Sequence, residues 1–327
     1  MERKALQRIL TELGGNDLLE TLSDRISLSD LNTLLLQLYG NITKNYTYSQ
    51  IMEKYSLNRF VKPADIDPIA LKQLELDIFK IAGSLSYQSV LLSPVTVLGS
   101  CSVVAPVSQN HILSATRGTE VVADATNALA LHICHLIKTG QADHKRDPIR
   151  LCTTHRHVRA QKLKGPGSLS HFHVFCMVTS GRDKGAYTFE KQALAEHLNL
   201  YQTVFRHLFD TNFTVRLSKM EGYKDTEGCF QSLCRHVKEN VLHAEVIETG
   251  GGKSNSYYKG LRFKMFVRLD GKEFEAGDGG FTDWPQKLLS DKKERMMISA
   301  IGLDRLLHNV RTTLSSPRSV YMHGAAP

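Results

Sequence analysis

Apolar and polar positions change period several times along the chain, and each change marks an element. Leu6, Ile9, Leu10 and Leu13 recur at helical spacing until Gly14-Gly15 breaks the pattern. A second helix is predicted from a cap at Ser29 or Asp30, with Leu31, Leu34, Leu35 and Leu38 on one face and Gly40 at its end. Residues 41–60 are polar and tyrosine-rich and read as an irregular connection. Asp67-Pro68 opens another helix, with Leu71, Leu74, Ile78 and Ile81 in phase. Proline suits that first turn because its missing N–H would be unpaired there anyway. Asp124 or Thr126 can cap a helix that runs to Lys138 and buries Leu129, Ile133 and Leu136. Two more amphipathic helices are predicted over 189–209 and 227–243, with a short strand at 214–217 between them.

Elsewhere the period drops to two. Residues 150–183 read as two long strands joined by a loop containing Lys162, Lys164, Gly165, Pro166, Gly167 and Ser168. A further strand, 257–269, turns at Asp270-Gly271, a dipeptide suited to a tight hairpin, and returns as 272–276 into a glycine cluster. Residues 298–307 form a strand-to-helix junction with Arg305 on the first helical turn. Strands interleaved with helices, many of them joined by hairpins, predict an α+β fold: an antiparallel sheet flanked by helices. The expected organisation is a helical N-terminal appendage over 1–58, a main domain over 59–315 and a flexible tail over 316–327.

The chain's 327 residues allow one large or two small domains. Its 42% hydrophobic and 23% charged residues are ordinary for a globular protein, and no apolar run approaches a membrane span. Six cysteines with no C-x-x-C pair suit a reducing cytoplasm. A net charge of +8 favours polyanionic partners such as nucleotides or RNA. The loop between the two long strands, rich in lysine and in backbone N–H groups, would cradle a polyphosphate. Arg159, where the first strand ends, would supply an always-charged donor fork at its edge.

Three stretches carry a resemblance. They are Tyr257-Tyr258-Lys259-Gly260-Leu261-Arg262-Phe263, then Ala276-Gly277-Asp278-Gly279-Gly280-Phe281-Thr282-Asp283, then Gly302-Leu303-Asp304-Arg305-Leu306. With Val158-Arg159-Ala160-Gln161 upstream, their order and spacing over roughly 85–310 resemble the catalytic domain of class II aminoacyl-tRNA synthetases. The nearest branch is the histidyl enzymes and their regulatory paralogue of ATP phosphoribosyltransferase. The resemblance implies ATP and Mg²⁺ as cofactors, and an adenylate formed on a small carboxylate or amino acid. It also implies a tRNA or carrier protein as acceptor, and a homodimer to which Pro94 would contribute. By the same resemblance Arg159 would contact the α-phosphate and Arg305 the γ-phosphate, while Gln161 stands where the family has a glutamate. Phe172 or Phe175 would stack on adenine. Gly277, Gly279 and Gly280 would let the backbone approach the ligand. Asp124, Thr126, Tyr257 and Tyr258 would line the substrate site. Asp124 reads equally well as a plain helix cap.

The departures matter too. Val174 and Val178 stand where a histidyl enzyme binds the imidazole, and Lys253-Ser254-Asn255-Ser256 replaces an arginine-bearing stretch. The expected activity is therefore activation of a non-histidine carboxylate. The alternative is a catalytically silent paralogue acting as a regulatory or scaffolding subunit. A nucleic-acid-binding module rests on charge alone. His155 and His157, with His171 and His173 on the partner strand, could instead gather around a transition metal; contacts to phosphate or across the strands are the plainer reading.

Overall fold

The computed structural model describes residues 2–15, 17–161, 170–249, 257–269 and 271–309. The N-terminal part is helical: α1 (Glu2–Glu12), α2 (Asp17–Glu20), α3 (Leu28–Lys44) and α4 (Tyr48–Leu57). The cap of α3 is Ser27, whose Oγ accepts from Asp30 N at 3.1 Å, so the helix starts before the expected cap. It also runs through Gly40, at a cost of about 1 kcal/mol relative to alanine. Helix α4 corrects the irregular connection read over 41–60. Thr47 and Gln50 form a reciprocal capping box at its start, a signal present in the sequence as T-x-x-Q.

The main body follows as α5 (Pro68–Ser84), β1 (Gln88–Ser89), β2 (Val95–Val97), β3 (Thr119–Val121), α6 (Ala125–Lys138), β4 (Ile149–Val158) and β5 (His171–Arg182). Next come α7 (Thr188–Phe209), β6 (Phe213–Lys219), α8 (Thr226–Asn240), β7 (Glu245–Thr249), β8 (Lys259–Leu269), β9 (Lys272–Thr282), α9 (Trp284–Leu288), β10 (Glu294–Gly302) and α10 (Leu303–Asn309). Asp67 caps α5, accepting from Ile69 N at 2.8 Å. Among the described residues, eight strands form one sheet in the order β1-β4-β5-β10-β9-β8-β6-β7. It is antiparallel except at its two edges, where β1 pairs with β4 and β6 with β7 in parallel. Strands β2 and β3 pair separately.

The register divides the sheet into two faces, because side chains opposite one another across a ladder point the same way. On one face Phe175, Met177, Phe263 and Met265 are buried against Leu194, Leu198 and Tyr201 of α7 and Leu71, Leu74 and Ile78 of α5. Each such aliphatic or aromatic side chain contributes about 1.5–3 kcal/mol on burial. On the other face Val174, Cys176, Val178 and Ile298 pack against Leu129 and Ile133 of α6 and against Trp284. The helices cover this second face only partly, and the open part is a cleft.

Strand β9 does not stop at Ala276 but continues through the glycines to Thr282. A Cβ at Gly277 would lie 2.0 Å from Ala300 O. At Gly279 it would lie 2.6 Å from both Ile298 O and the Phe263 ring, and at Gly280 2.6 Å from the Tyr258 ring. These glycines let β8, β9 and β10 approach one another. Gly277 also borders the cleft.

Candidate functional site

The cleft has a volume of about 1340 Å³. A typical single-ligand site measures roughly 300–1,000 Å³, so there is room for two small ligands side by side. Its floor is the open face of β5, β10, β9 and β8, and its wall is the start of α6 with the segment leading into it.

Asp124 sits in that wall as the cap of α6. Its Oδ1 accepts from Thr126 N at 3.0 Å and from Thr126 Oγ1 at 2.7 Å. Its Oδ2 accepts from Tyr257 Oη at 2.7 Å. Burial pushes this carboxyl up, but Arg159, His157 and the Thr126 and Tyr257 hydroxyls outweigh burial and hold it below the usual range. It is thus an ionised carboxylate facing the cleft, and both readings made from sequence, cap and site residue, describe it.

Arg159 follows β4 directly. Its N–H donates to Ser170 O at 2.8 Å, closing the base of the hairpin. Its Nε donates to Ala123 O at 3.0 Å, and its guanidinium lies 5.3 Å from the centre of the Phe172 ring. Arginine, aromatic ring and carboxylate therefore meet where the wall joins the floor, although Asp124 lies far from the other two in sequence. Arg305 stands at the exposed mouth, its Nη1 donating to Glu275 O at 2.6 Å. Gln161 and Tyr258 also line the cleft. Phe175 does not: it is fully buried on the opposite face, so of the two phenylalanines only Phe172 can meet a ligand.

The four hairpin histidines do not converge, which corrects the metal alternative. In the β4–β5 ladder His155 stands opposite Val174 and His157 opposite Phe172, whereas His171 and His173 stand opposite Val158 and Arg156. The two pairs therefore point to opposite faces of the sheet. Among the described residues no group of three metal-binding side chains forms. Each histidine has protein partners instead. His155 Nε2 is 3.2 Å from Ser93 O, His171 lies between Arg156 Nη1 (2.9 Å) and Lys62 O (2.6 Å), and His173 pairs with Glu75. His157 Nε2 accepts the Ala125 N–H at 2.9 Å, and burial pushes this histidine's pKa down to about 3. The ring is neutral with its proton on Nδ1, an atom without a partner among the described residues.

Two charged cleft residues not singled out from the sequence bear on the site. Asp278 and Arg262 lie in quoted motif stretches, and the register puts both on the cleft face: Asp278 opposite Ala300, and Arg262 opposite Gly280. Strand parity was the available signal. The basic loop 162–168, the Lys253–Ser256 replacement, Asp270 and the tail 316–327 lie outside the described residues.

The sheet order, its helices and the open cleft together define the fold of a class II aminoacyl-tRNA synthetase catalytic domain. No protein-family model matches the sequence, and no curated protein matches it. Similar solved structures include the apo histidyl-tRNA synthetase of S. aureus (TM-score 0.56, 13% identity, 76% of this chain and 68% of that one). The ATP phosphoribosyltransferase regulatory subunit/histidyl-tRNA synthetase of Bacillus halodurans C is similar over more of its own length (TM-score 0.57, 12% identity, 77% of this chain and 83% of that one). The RNA binding domain of threonyl-tRNA synthetase from Cryptosporidium parvum Iowa II gives a TM-score of 0.59 at 11% identity, with 73% of this chain covering 63% of that one.

Proposed function

We propose that the cleft binds ATP beside a small amino-bearing carboxylate and joins the two as an adenylate. The observation that carries this reading is the meeting of Arg159, Phe172 and Asp124 at one side of the cleft. An aromatic face and a guanidinium fork suit a purine nucleotide and its α-phosphate. The ionised Asp124, fixed by Thr126 and Tyr257, suits an ammonium group. Adenylate formation asks little covalent work of a protein: a carboxylate oxygen attacks the α-phosphorus and pyrophosphate departs. Holding the two in line and neutralising charge is the protein's share. Arg159 would act on the α-phosphate and Arg305, at the mouth, on the far end of the triphosphate. Mg²⁺ bound mainly through phosphate oxygens would need one or two carboxylates, and Glu275 and Asp304 line the cleft near Arg305. The ion would neutralise the triphosphate as charge shifts to pyrophosphate.

Calorimetry with ATP and Mg²⁺ on the wild type, Arg159→Ala and Arg305→Ala tests this reading. Saturable binding weakened in both variants supports it. No binding at millimolar ATP would instead favour the silent regulatory paralogue. One observation leans that way: Arg159 Nε is already bonded to Ala123 O beside Asp124, so the wall holds together without a ligand.

A further inference from the structure

The same cleft carries a further acid, Asp278, that has no role in the reading above. Asp278 projects from β9 onto the floor, opposite Ala300 on one side and Lys264 on the other. Its Oδ2 accepts from Tyr258 Oη at 3.4 Å. Asp124, on the wall, accepts from Tyr257 Oη. The two acids are thus held by adjacent tyrosines, whose rings meet edge-on with centres 4.7 Å apart. Both carboxyls line one cavity, and one residue step along the chain separates the hydroxyls that position them.

The acids differ in how they are compensated. Asp124 has Arg159, two hydroxyls and a backbone N–H. For Asp278, burial dominates and raises its pKa, with Glu275 and Asp124 pushing the same way against Arg262 and Lys264. Lys264 is engaged by Glu275 at 2.7 Å. A carboxyl in such a place has unused capacity for a cation or a donor.

We propose that Asp278 makes the cleft selective for a diamino carboxylate: a small α-amino acid with a second ammonium group on its side chain. Asp124 takes the α-ammonium and Asp278 takes the second nitrogen, with the Tyr257-Tyr258 pair setting the spacing between them. This inference rests on the reading of the cleft as an amino-acid and nucleotide site.

The test titrates the full-length chain with 2,4-diaminobutyrate, ornithine and lysine, and with norvaline and norleucine as partners lacking the second nitrogen. ATP is titrated in parallel. At least one diamino acid is expected to bind tenfold or more tightly than its monoamino partner. Asp278→Asn, close in shape to the original, should abolish that preference, and Asp124→Asn should weaken both kinds of ligand. Thermal melts of the variants and their ATP titrations show that the cleft is still folded. Equal binding of the monoamino compounds overturns the inference, as does a preference that survives in Asp278→Asn or the absence of diamino-acid binding. If ATP binds normally in any of these cases, the nucleotide reading stands and only this inference fails. If a diamino preference is found without ATP binding, the nucleotide reading fails and the selectivity of the cleft stands.

Discussion

On the helix-covered face of the sheet, buried polar groups satisfy one another in an unbroken chain. Tyr87 Oη meets Thr179 Oγ1 at 2.9 Å, Thr179 meets His197 Nε2 at 2.9 Å, His197 Nδ1 meets Ser299 Oγ at 2.7 Å, and Ser299 meets Tyr201 Oη at 2.8 Å. On the other face of the same sheet, His157 Nδ1 and Arg262 Nε have no partner among the described residues, and burial raises the pKa of Asp278. One alternating pattern built both faces. A closed core must use up its hydrogen-bonding capacity because water cannot reach it, whereas a binding cleft keeps capacity that a ligand can use. The core is not free of such groups, since His173 Nδ1, Glu190 Oε2 and Gln202 Oε1 also lack partners among the described residues, but its central hydroxyls and His197 are bonded throughout.

Two phenylalanines of β5 give the largest contrast. Phe175 is fully buried in the core, and Phe172 borders the cleft. Phe175→Ala should cost about 3–5 kcal/mol of unfolding free energy, and Phe172→Ala roughly half as much, read by urea denaturation. Calorimetry should show the reverse ranking for ATP, with only the cleft substitution weakening binding while the chain remains folded. Equal stability losses would break the contrast. Next in size is Arg159→Ala. Removing a charged donor from a phosphate should cost about 1.5–3 kcal/mol of ATP binding, roughly 10- to 100-fold in Kd, and move the melting temperature little.

Much of this contrast could be read from the sequence, and the reason it stopped short is specific. Period-two alternation gave β4, β5 and β8, and helical spacing with caps gave α5, α6, α7 and α8, because each buries one continuous apolar face. The hairpin histidines were misjudged because alternation relates residues within a strand, whereas the face shared between strands depends on register, which the loop sets. Asp278 was hidden among glycines that read as a turn. They are instead strand residues whose missing side chains let neighbouring strands close up. Arg59 illustrates what spacing cannot show: it donates to Ala160 O and to Ser170 Oγ (2.5 Å), about a hundred residues away, tying the N-terminal connection to the base of the hairpin.

The two faces should respond alike to acid. His197 in the core and His157 in the cleft wall both have pKa values pushed down to about 3 by burial. Arg150 adds to the effect at His197. Around His157, Asp124 opposes it, while Arg159, His155 and His173 reinforce it. The folded values lie below the unfolded value of about 6.5, so the unfolded chain takes up the protons first. Stability from these groups is complete above about pH 6.5 and is lost as pH falls toward 3. Between pH 7 and 5 each histidine should account for about 2 kcal/mol. His157→Gln should remove about half of the combined slope, measured by urea denaturation at the two pH values.

The smallest effect compares two hydroxyls. Ser299→Ala in the core would strip partners from His197 Nδ1 and Tyr201 Oη, where no water can replace them. A loss of about 1–2 kcal/mol is expected. Tyr257→Phe removes one donor from Asp124, which keeps Thr126 N, Thr126 Oγ1 and the charge of Arg159. The cleft can also admit water to the freed oxygen. Stability should therefore change by less than about 0.5 kcal/mol, the usual range away from buried networks. The lost donor should show elsewhere, as a rise in the pKa of Asp124, since the Tyr257 hydroxyl helps to hold it down. Carboxyl-carbon NMR titration reads that shift directly. A Tyr257→Phe protein as destabilised as Ser299→Ala, with the Asp124 titration unmoved, would mean that the tyrosine belongs to a closed core and that the two faces do not differ in the way their hydrogen bonds imply.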